Sequence, residues 1–157
     1  MNLETSLAAR FAADYRDAHA KFLAAAALAG GTLKSYPNPL KGPAGEALST
    51  DVAFFGPEDA KKVLVTVSAT HGVEGFCGSG AQVDWLLGPA AAALPRGAAM
   101  LFVHAINPHG FAWLRRVTEE GCDLNRNFVD FAKPLPENPG YDELADAIVP
   151  RELSGPV

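Results

Sequence analysis

The chain has 157 residues, of which 48% are hydrophobic and 20% are charged, and this composition fits one globular domain with its own core. Its formal net charge of −5 at pH 7 favours neither nucleic acid nor an anionic membrane surface as a partner. No apolar run approaches the roughly 20 residues that span a bilayer, and the first residues lack the basic-then-apolar order of a signal peptide. Because the chain has two cysteines and no signal-peptide pattern, we expect a cytoplasmic protein with reduced thiols.

The first predicted elements are one helix and two strands. A helix is predicted from about Thr5 to Leu28, capped by Thr5 or Ser6, because its apolar residues fall near one stripe. Strands are predicted at Thr32–Tyr36 and Leu48–Phe55, either paired as a hairpin or lying as neighbours. The proline-rich stretch 37–43 between them is predicted to be a loop.

A strand–helix–strand unit follows. Val63–Ser68 is short and almost wholly apolar, which is typical of a strand covered on both faces. Gly78–Leu87 is a predicted helix, and Ala98–Ile106 is a second buried strand. Short links between these elements predict parallel pairing and an α/β class. The remaining predictions are a helix end and loop up to Arg96, a turn at 107–110, an ordered loop with one helical turn at 111–127, and a helix at Tyr141–Ile148.

His71 and Glu74 stand directly after the first buried strand. Residues three apart at the start of a helix can point the same way, and ligands in open α/β sheets gather beyond the carboxyl ends of strands. Imidazole nitrogen and carboxylate oxygen suit Zn²⁺, and two histidines with one glutamate form a known catalytic ligand set. The alternative is a loop histidine beside a glutamate that favours the helix dipole.

A second polar group follows the second buried strand, so we expect it at the same edge of the sheet. It contains Asn107-Pro-His-Gly110, the pair Arg115-Arg116, and Asp123-Leu-Asn-Arg-Asn-Phe128. Arginine offers a rigid fork for a carboxylate or a developing oxyanion, and asparagine adds donors of fixed direction. The alternative is a surface loop with solvated charges.

Together, the His71-Gly-Val-Glu74 motif, the Asn107-Pro-His-Gly110 turn, Arg116 and the Asp123–Phe128 motif resemble the ordered motif series of the zinc carboxypeptidase superfamily. This superfamily includes carboxypeptidase A-like enzymes and the succinylglutamate desuccinylase and aspartoacylase group. The stretch Asn107–Phe131 looks closest to an uncharacterised bacterial branch. The resemblance covers residues 60–131 and implies a three-layer αβα fold with a mixed, largely parallel sheet.

The resemblance also implies roles for individual residues. His71 and Glu74 would be zinc ligands, and Arg116 or its neighbour Arg115 would polarise the scissile carbonyl and stabilise the oxyanion. Asn125 and Arg126 would bind the carboxylate of the substrate. The implied function is zinc-dependent hydrolysis of an amide bond next to a carboxylate, in a small peptide or an N-acyl amino acid.

Two parts of the family's site have no counterpart in this sequence. The third zinc ligand of the family is a downstream histidine, and it is missing here because no histidine follows Arg126. The glutamate that acts as general base in the family cannot be identified either. The acids Asp142, Glu143, Asp146 and Glu152 have no motif around them. We therefore expect residues 1–157 to be the amino-terminal half of a larger catalytic domain, with an uncovered sheet edge open to self-association or to a partner.

The alternatives are a non-catalytic partial domain that retains a carboxylate-binding pocket or needs a partner chain, and a metal-free α/β binding module. Among the other reactive residues, His104 is predicted to lie in the core or to support a ligand from behind. His109 is predicted to be solvated, His19 to lie on the surface of the first helix, and Cys77 and Cys122 to be small buried thiols.

Overall fold

The computed structural model describes residues 6–89 and 94–149, which form two compact units, Met1–Asn127 and Phe128–Val157. Thr5, part of the stretch before Arg96, and Glu152 lie outside the described residues. The first unit contains a 3₁₀ turn at Leu7–Arg10, helices α1 (Tyr15–Leu28), α2 (Gly75–Leu87) and α3 (Pro108–Ala112), and strands β1 (Thr32–Lys41), β2 (Ala47–Phe55), β3 (Lys62–Val67) and β4 (Ala98–His104). The second unit contains helix α4 (Pro139–Ile148).

The four strands form one mixed sheet in the order β1-β2-β4-β3. β1 and β2 are an antiparallel hairpin, β2 pairs antiparallel with β4, and β3 pairs parallel with β4. The predictions of a hairpin, of a parallel strand–helix–strand unit and of an α/β class are therefore confirmed.

The core lies between the sheet and the helices α1 and α2. Side chains alternate along β2 and β4, so every second residue faces the helices. The buried cluster consists of Phe22, Ala25 and Ala26 from α1, Ala53 and Phe55 from β2, Val83 and Leu86 from α2, and Met100 and Phe102 from β4. This cluster fixes one helical layer on the sheet; the second layer of the three-layer arrangement stays a prediction.

The first helix is shorter than predicted. Ser6 caps only the 3₁₀ turn, and Phe11 is extended, which ends it. Asp14 then caps α1 by accepting a hydrogen bond of 2.8 Å from the backbone N–H of Asp17. Two local caps in sequence produce two short elements where apolar periodicity alone predicted one long helix.

Strand β1 is longer than predicted, because it continues through Pro37 and Pro39 into the stretch expected to be a loop. In the part of the chain that the structure describes, β1 is an outer strand. An outer strand needs hydrogen-bond donors on one side only. Proline, which has no N–H to donate, is therefore tolerated there. The register with β2 shifts between Asn38 and Lys41, after the first of these prolines.

Strand β3 is less covered than predicted. It is the other outer strand among the described residues, and Val63, Leu64, Val65 and Val67 are each 48–61% exposed. The expectation that both faces of β3 are covered is wrong for the described residues. An apolar run in the sequence does not reveal which other elements pack against a strand.

The second unit begins its helix at Pro139, two residues before the predicted start, and the predicted helix at Tyr141–Ile148 is confirmed. Asn138 caps it by accepting a hydrogen bond from the N–H of Tyr141, and proline occupies the first turn. Within residues 6–89 and 94–149, every helix is too short or too polar to cross a membrane.

Candidate metal centre

The loop between β3 and α2 carries His71 and Glu74. After β3 ends, the chain stays paired with the segment that follows β4: Ile106 N–H donates to Ser68 O, and Asn107 N–H donates to Ala69 O, at 3.1 and 3.2 Å. Both segments turn sharply, since Ala69 and Ala105 have left-handed backbones with φ values of 57° and 55°. This paired turn brings the two predicted polar groups to one end of the sheet.

His71 lies between two carboxylates. Its Nε2 is 2.9 Å from Asp123 Oδ1, and its Nδ1 is 3.6 Å from Glu74 Oε1. A carboxylate only accepts hydrogen bonds, so the neutral ring that binds Asp123 carries its proton on Nε2 and keeps a lone pair on Nδ1. The His71 side chain is 12% exposed and that of Glu74 is 67% exposed, so this lone pair lies near solvent on the Glu74 side.

Asp123 joins His71 to Arg116. The Arg116 Nε donates to Asp123 Oδ2 at 2.9 Å, and the backbone N–H of Asn125 donates to Oδ1 at 2.9 Å. The hydrogen bond from His71 has the largest effect on the pKa of Asp123, and desolvation opposes it. Hydrogen bonds from Arg116 and Asn125 add to the effect of His71, and together they lower the pKa of Asp123 to about 2. Asp123 is therefore ionised at neutral pH and accepts hydrogen bonds from both His71 and Arg116.

Three of the five predicted site residues come together here: His71, Glu74 and Arg116. Asn125 contributes its backbone N–H to Asp123, and the exposed Arg126 donates from Nη1 to Asn125 O at 3.0 Å. Arg115 takes part through its backbone, whereas the Arg116 side chain reaches Asp123.

Asp123 is the residue to which the sequence analysis gave no role. It stands at the head of the Asp-Leu-Asn-Arg motif, 52 residues from His71, and no spacing rule links the two. The available signal was its chemistry, because a histidine that binds a metal usually donates its other ring N–H to a carboxylate.

A left-handed residue also precedes the arginine pair. Leu114 has a φ of 54°, and with Ala69 and Ala105 it makes up the non-glycine residues of positive φ in the described chain. Each stands within three residues of Ser68, Asn107 or Arg116, in the segments that shape the site. Backbone strain at such positions is held in place by surrounding contacts.

The other histidines do not reach the centre. His104 is fully buried, its Nε2 lies 2.9 Å from Ser79 Oγ, and its ring stacks on Phe22 at 4.4 Å. Burial lowers the pKa of His104 to about 4, so it is neutral at physiological pH. The core position predicted for His104 is confirmed, and its ring contacts Ser79 and not His71 or Glu74.

The predictions of a solvated His109 and a buried Cys77 are wrong, whereas His19 and Cys122 are half-buried. His109 is 8% exposed and stacks on Trp113, because it lies in the short helix α3 and not in an open turn. His19 is 28% exposed and bonds to Asp51 at 2.9 Å. Cys77 is exposed at the start of α2, and Cys122 is of intermediate burial.

A cavity of about 500 Å³ borders the same loop. Its walls include Cys122 and Leu124, the two neighbours of Asp123, together with Asn107 and Tyr36. This volume falls in the range of small-molecule sites.

Within the described ranges, 6–89 and 94–149, no group of three or more His, Cys, Asp or Glu side chains is arranged to hold a metal ion. The reason is visible at His71: Glu74 faces one ring nitrogen and Asp123 binds the other. The two carboxylates therefore cannot share one ion with His71, and the described centre offers two donors, His71 Nδ1 and Glu74.

In a comparison with known protein families, one family model matches nearly the whole length of the chain. A family model described as "Protein of unknown function (DUF2817)" matches residues 11–157. The chain belongs to the DUF2817 family. Both motif regions of this DUF2817 protein, His71–Glu74 and Asp123–Phe128, lie inside the matched range. No curated protein matches it.

Several solved structures resemble the DUF2817 protein at low identity. A glutaminyl cyclase from Tannerella forsythia has 17% identity over 76% of this chain and 43% of its own, with a TM-score of 0.44. A Zn-dependent exopeptidase from Parabacteroides distasonis has 14% identity over 90% and 50%, with a TM-score of 0.41. A glutaminyl cyclase from Fimbriiglobus ruber has 9% identity over 54% and 35%, with a TM-score of 0.40. The chain thus spans half or less of the length of these structures.

Proposed function

We propose that this chain carries part of the site of a zinc-dependent hydrolase that cleaves an amide bond next to a carboxylate. The substrates would be small peptides or N-acyl amino acids. One observation carries the proposal: Asp123 engages Nε2 of His71, and this leaves Nδ1 facing the carboxylate of Glu74. A histidine fixed from behind by a carboxylate, with its free nitrogen beside a second carboxylate, is the arrangement that zinc sites use.

The distance between the two donors fits zinc. In a tetrahedral site with ligand bonds of about 2.0–2.2 Å, two donor atoms lie about 3.4 Å apart. His71 Nδ1 and Glu74 Oε1 are 3.6 Å apart. His71 and Glu74 would hold the ion, which supplies Lewis-acid polarisation of the scissile carbonyl and activation of water.

Arg116 would act on the oxyanion. Its Nε is bound to Asp123, which orients the guanidinium and leaves its other N–H groups for a ligand. Since Asp123 binds both His71 and Arg116, the two groups are held at a fixed spacing, as electrostatic stabilisation of a developing charge requires.

Asn125 and Arg126 would bind the carboxylate of the substrate. Arg126 is exposed, and Arg116 on the same loop adds a second positive charge. Arginine pairs with carboxylates through parallel hydrogen bonds, which would orient the substrate relative to the ion. The cavity beside Asp123 would take the remainder of a small substrate.

The remaining ligand and the general base would come from outside the described residues. The described residues offer two metal donors, His71 Nδ1 and Glu74, and this number favours a second function. In that function the chain is a partial domain that binds a carboxylate without catalysis. In this alternative Arg116 and Arg126 bind an anion, and no metal takes part.

The test is zinc affinity of the full chain, measured by competition with a chromophoric chelator. We expect His71→Ala to weaken zinc binding by roughly a hundredfold, since it removes a ligand. His19→Ala is the matched control, because His19 also pairs with an aspartate at 2.9 Å, and it should leave the affinity unchanged.

Equal zinc affinity in the wild type and His71→Ala would overturn the proposal. In that case, binding of N-acetyl-glutamate that is weakened by Arg126→Ala would support the carboxylate-binding alternative.

A further inference from the structure

Asn107 is a buried side chain that connects the two halves of the candidate metal centre. It is 1% exposed and stands between β4 and α3. Its Oδ1 accepts a hydrogen bond of 2.8 Å from the N–H of Gly110, and its Nδ2 donates to Thr70 O at 3.3 Å. One amide therefore binds α3 on one side and the residue before His71 on the other.

Backbone contacts continue this connection to the arginine pair. The N–H of Gly72 donates to Arg115 O at 3.0 Å, and the N–H of Arg115 donates to Gly110 O at 2.8 Å. The neighbours of His71 and Arg116 are thus joined directly, with Gly110 as the junction.

The three segments approach so closely that glycine is required. A Cβ on Gly72 would lie 2.7 Å from Arg115 O and would also overlap Gly110 O. A Cβ on Gly110 would lie 2.8 Å from Arg115 O and would overlap Nδ2 of Asn107. Since heavy atoms do not approach so closely without displacement, the His71 loop, α3 and the Arg116 loop pack backbone against backbone.

We infer that Asn107 is a positioning residue that sets the spacing between His71 and Arg116 through its hydrogen bond to Thr70 O. The inference rests on the proposed function in that His71 and Arg116 are taken as the groups that need a fixed spacing. The role assigned to Asn107 depends on its hydrogen bond to Thr70 O and not on contact with the proposed ion.

Asn138 provides a matched comparison in the same chain. Like Asn107, it precedes a proline and caps a helix, and the backbone angles are nearly the same: φ −119° and ψ 75° for Asn107, φ −128° and ψ 78° for Asn138. Its side chain accepts from the N–H of Tyr141. Capping therefore accounts for the acceptor oxygen of Asn107, and the donor bond to Thr70 is the feature that capping does not explain.

The experiment compares Asn107→Ser with Asn138→Ser in the full chain. Serine also caps helices through its oxygen, but it has no amide donor for Thr70 O. Amide hydrogen exchange is followed by NMR at Gly72 and Gly110. In Asn107→Ser we expect exchange at Gly72 to rise about tenfold, with exchange at Gly110 within about threefold of the wild type. Asn138→Ser should change neither amide.

Zinc affinity is the second readout. Asn107→Ser should weaken zinc binding about tenfold, as expected when support behind a ligand is lost, and Asn138→Ser should not. Exchange at Gly72 is measured without zinc, so it tests the positioning role even if the wild type binds no metal. In that event the proposed function fails and the Gly72 result still decides this inference.

Unchanged exchange at Gly72 in Asn107→Ser would overturn the inference, as would loss of protection at Gly110 alone, which a simple capping role predicts. If Asn107→Ser does not fold, Asn107→Asp takes its place, since it keeps the acceptor and the size of the side chain. There too, Gly72 should exchange faster while Gly110 stays protected.

Discussion

Two histidine–aspartate pairs in this protein have the same geometry and different surroundings. His71 meets Asp123, and His19 meets Asp51, each through Nε2 at 2.9 Å. Asp123 lies in a loop at the end of the sheet, beside an exposed arginine. Asp51 lies inside β2 and is fully buried.

Protein donors surround Asp51 on both oxygens. Ser35 donates to Oδ1, Ser49 donates to Oδ2 at 3.0 Å, and His19 approaches Oδ2. Burial by itself would raise the pKa of Asp51, but these hydrogen bonds outweigh it and the net pKa is lowered. Asp51 therefore joins α1, β1 and β2 as an ionised group in the core.

The comparison shows what distinguishes a candidate metal centre from a structural pair. A histidine bound to an aspartate occurs in both places. At His71 a second carboxylate, Glu74, faces the remaining nitrogen, whereas at His19 the same Nε2 also lies 3.2 Å from Ser49 Oγ. Of the next three predictions, the first and the last separate the two pairs, by stability and by metal affinity. The second concerns His104, a buried histidine that has no aspartate partner among the contacts described above.

Replacing Asp51 should have the largest effect. Asp51→Ala leaves Ser35, Ser49 and His19 without their shared acceptor. We expect a loss of about 4 kcal/mol in the free energy of unfolding, because hydrogen bonds to a charged group contribute about 1.5–3 kcal/mol each. Asp123→Ala should change stability little, because its contacts are near the surface. Urea denaturation of the two variants measures the difference; comparable losses would mean that the pairs are not distinct in this way.

The pH dependence of stability should come next in size. His104 titrates at 6.5 when unfolded and at about 4 when folded, so the unfolded state binds its proton first as the pH falls. Unfolding then takes up a proton between pH 6.5 and 4, and stability falls by about 3 kcal/mol across this window as the solution is acidified.

The control for this prediction is His104→Gln, which can still bond to Ser79 but does not titrate. The wild type minus His104→Gln difference in the free energy of unfolding should fall by about 3 kcal/mol between pH 6.5 and 4, and it should stay constant below pH 4. Asp123, with a pKa lowered to about 2, contributes stability that is lost only between its unfolded value of 3.8 and about 2. A flat difference between pH 6.5 and 4 would show that His104 is not held neutral by the fold.

The smallest effect concerns zinc. Asp123→Asn keeps the shape of the side chain but removes the charge that orients His71, and we expect about tenfold weaker zinc binding. Asp51→Asn, the same change in the other pair, should leave zinc affinity unchanged if it folds. A chelator competition assay measures both, and equal weakening would mean that Asp123 has no specific part in metal binding.

The sequence predicted the centre of the fold better than its margins. The runs at Val63–Ser68 and Ala98–Ile106, with a helix between them, contain enough local pattern to predict a parallel pair. Whether a strand has a neighbour on each side is not a local property, and for this reason the exposure of β3 and the prolines of β1 were predicted wrongly.

The candidate site shows the same division. His71, Glu74 and Arg116 follow strand ends or the loops after them, so their meeting at one edge could be predicted. The bond from Asp123 to His71 depends on how the loop after α3, residues 113–127, folds back. Hydrophobic periodicity carries no information on that path.

The left-handed backbones at Ala69, Ala105 and Leu114 determine which residues each position can tolerate. Ala69 and Ala105 are buried, so both space and conformation exclude larger side chains there. Leu114 is 58% exposed, and space does not restrict it. In a library of all substitutions at residue 114, glycine, asparagine and aspartate should therefore be enriched, and the β-branched residues valine and isoleucine should be depleted, although space does not restrict the position. Selection for these three residues at an exposed position would mark the backbone conformation itself as the selected feature.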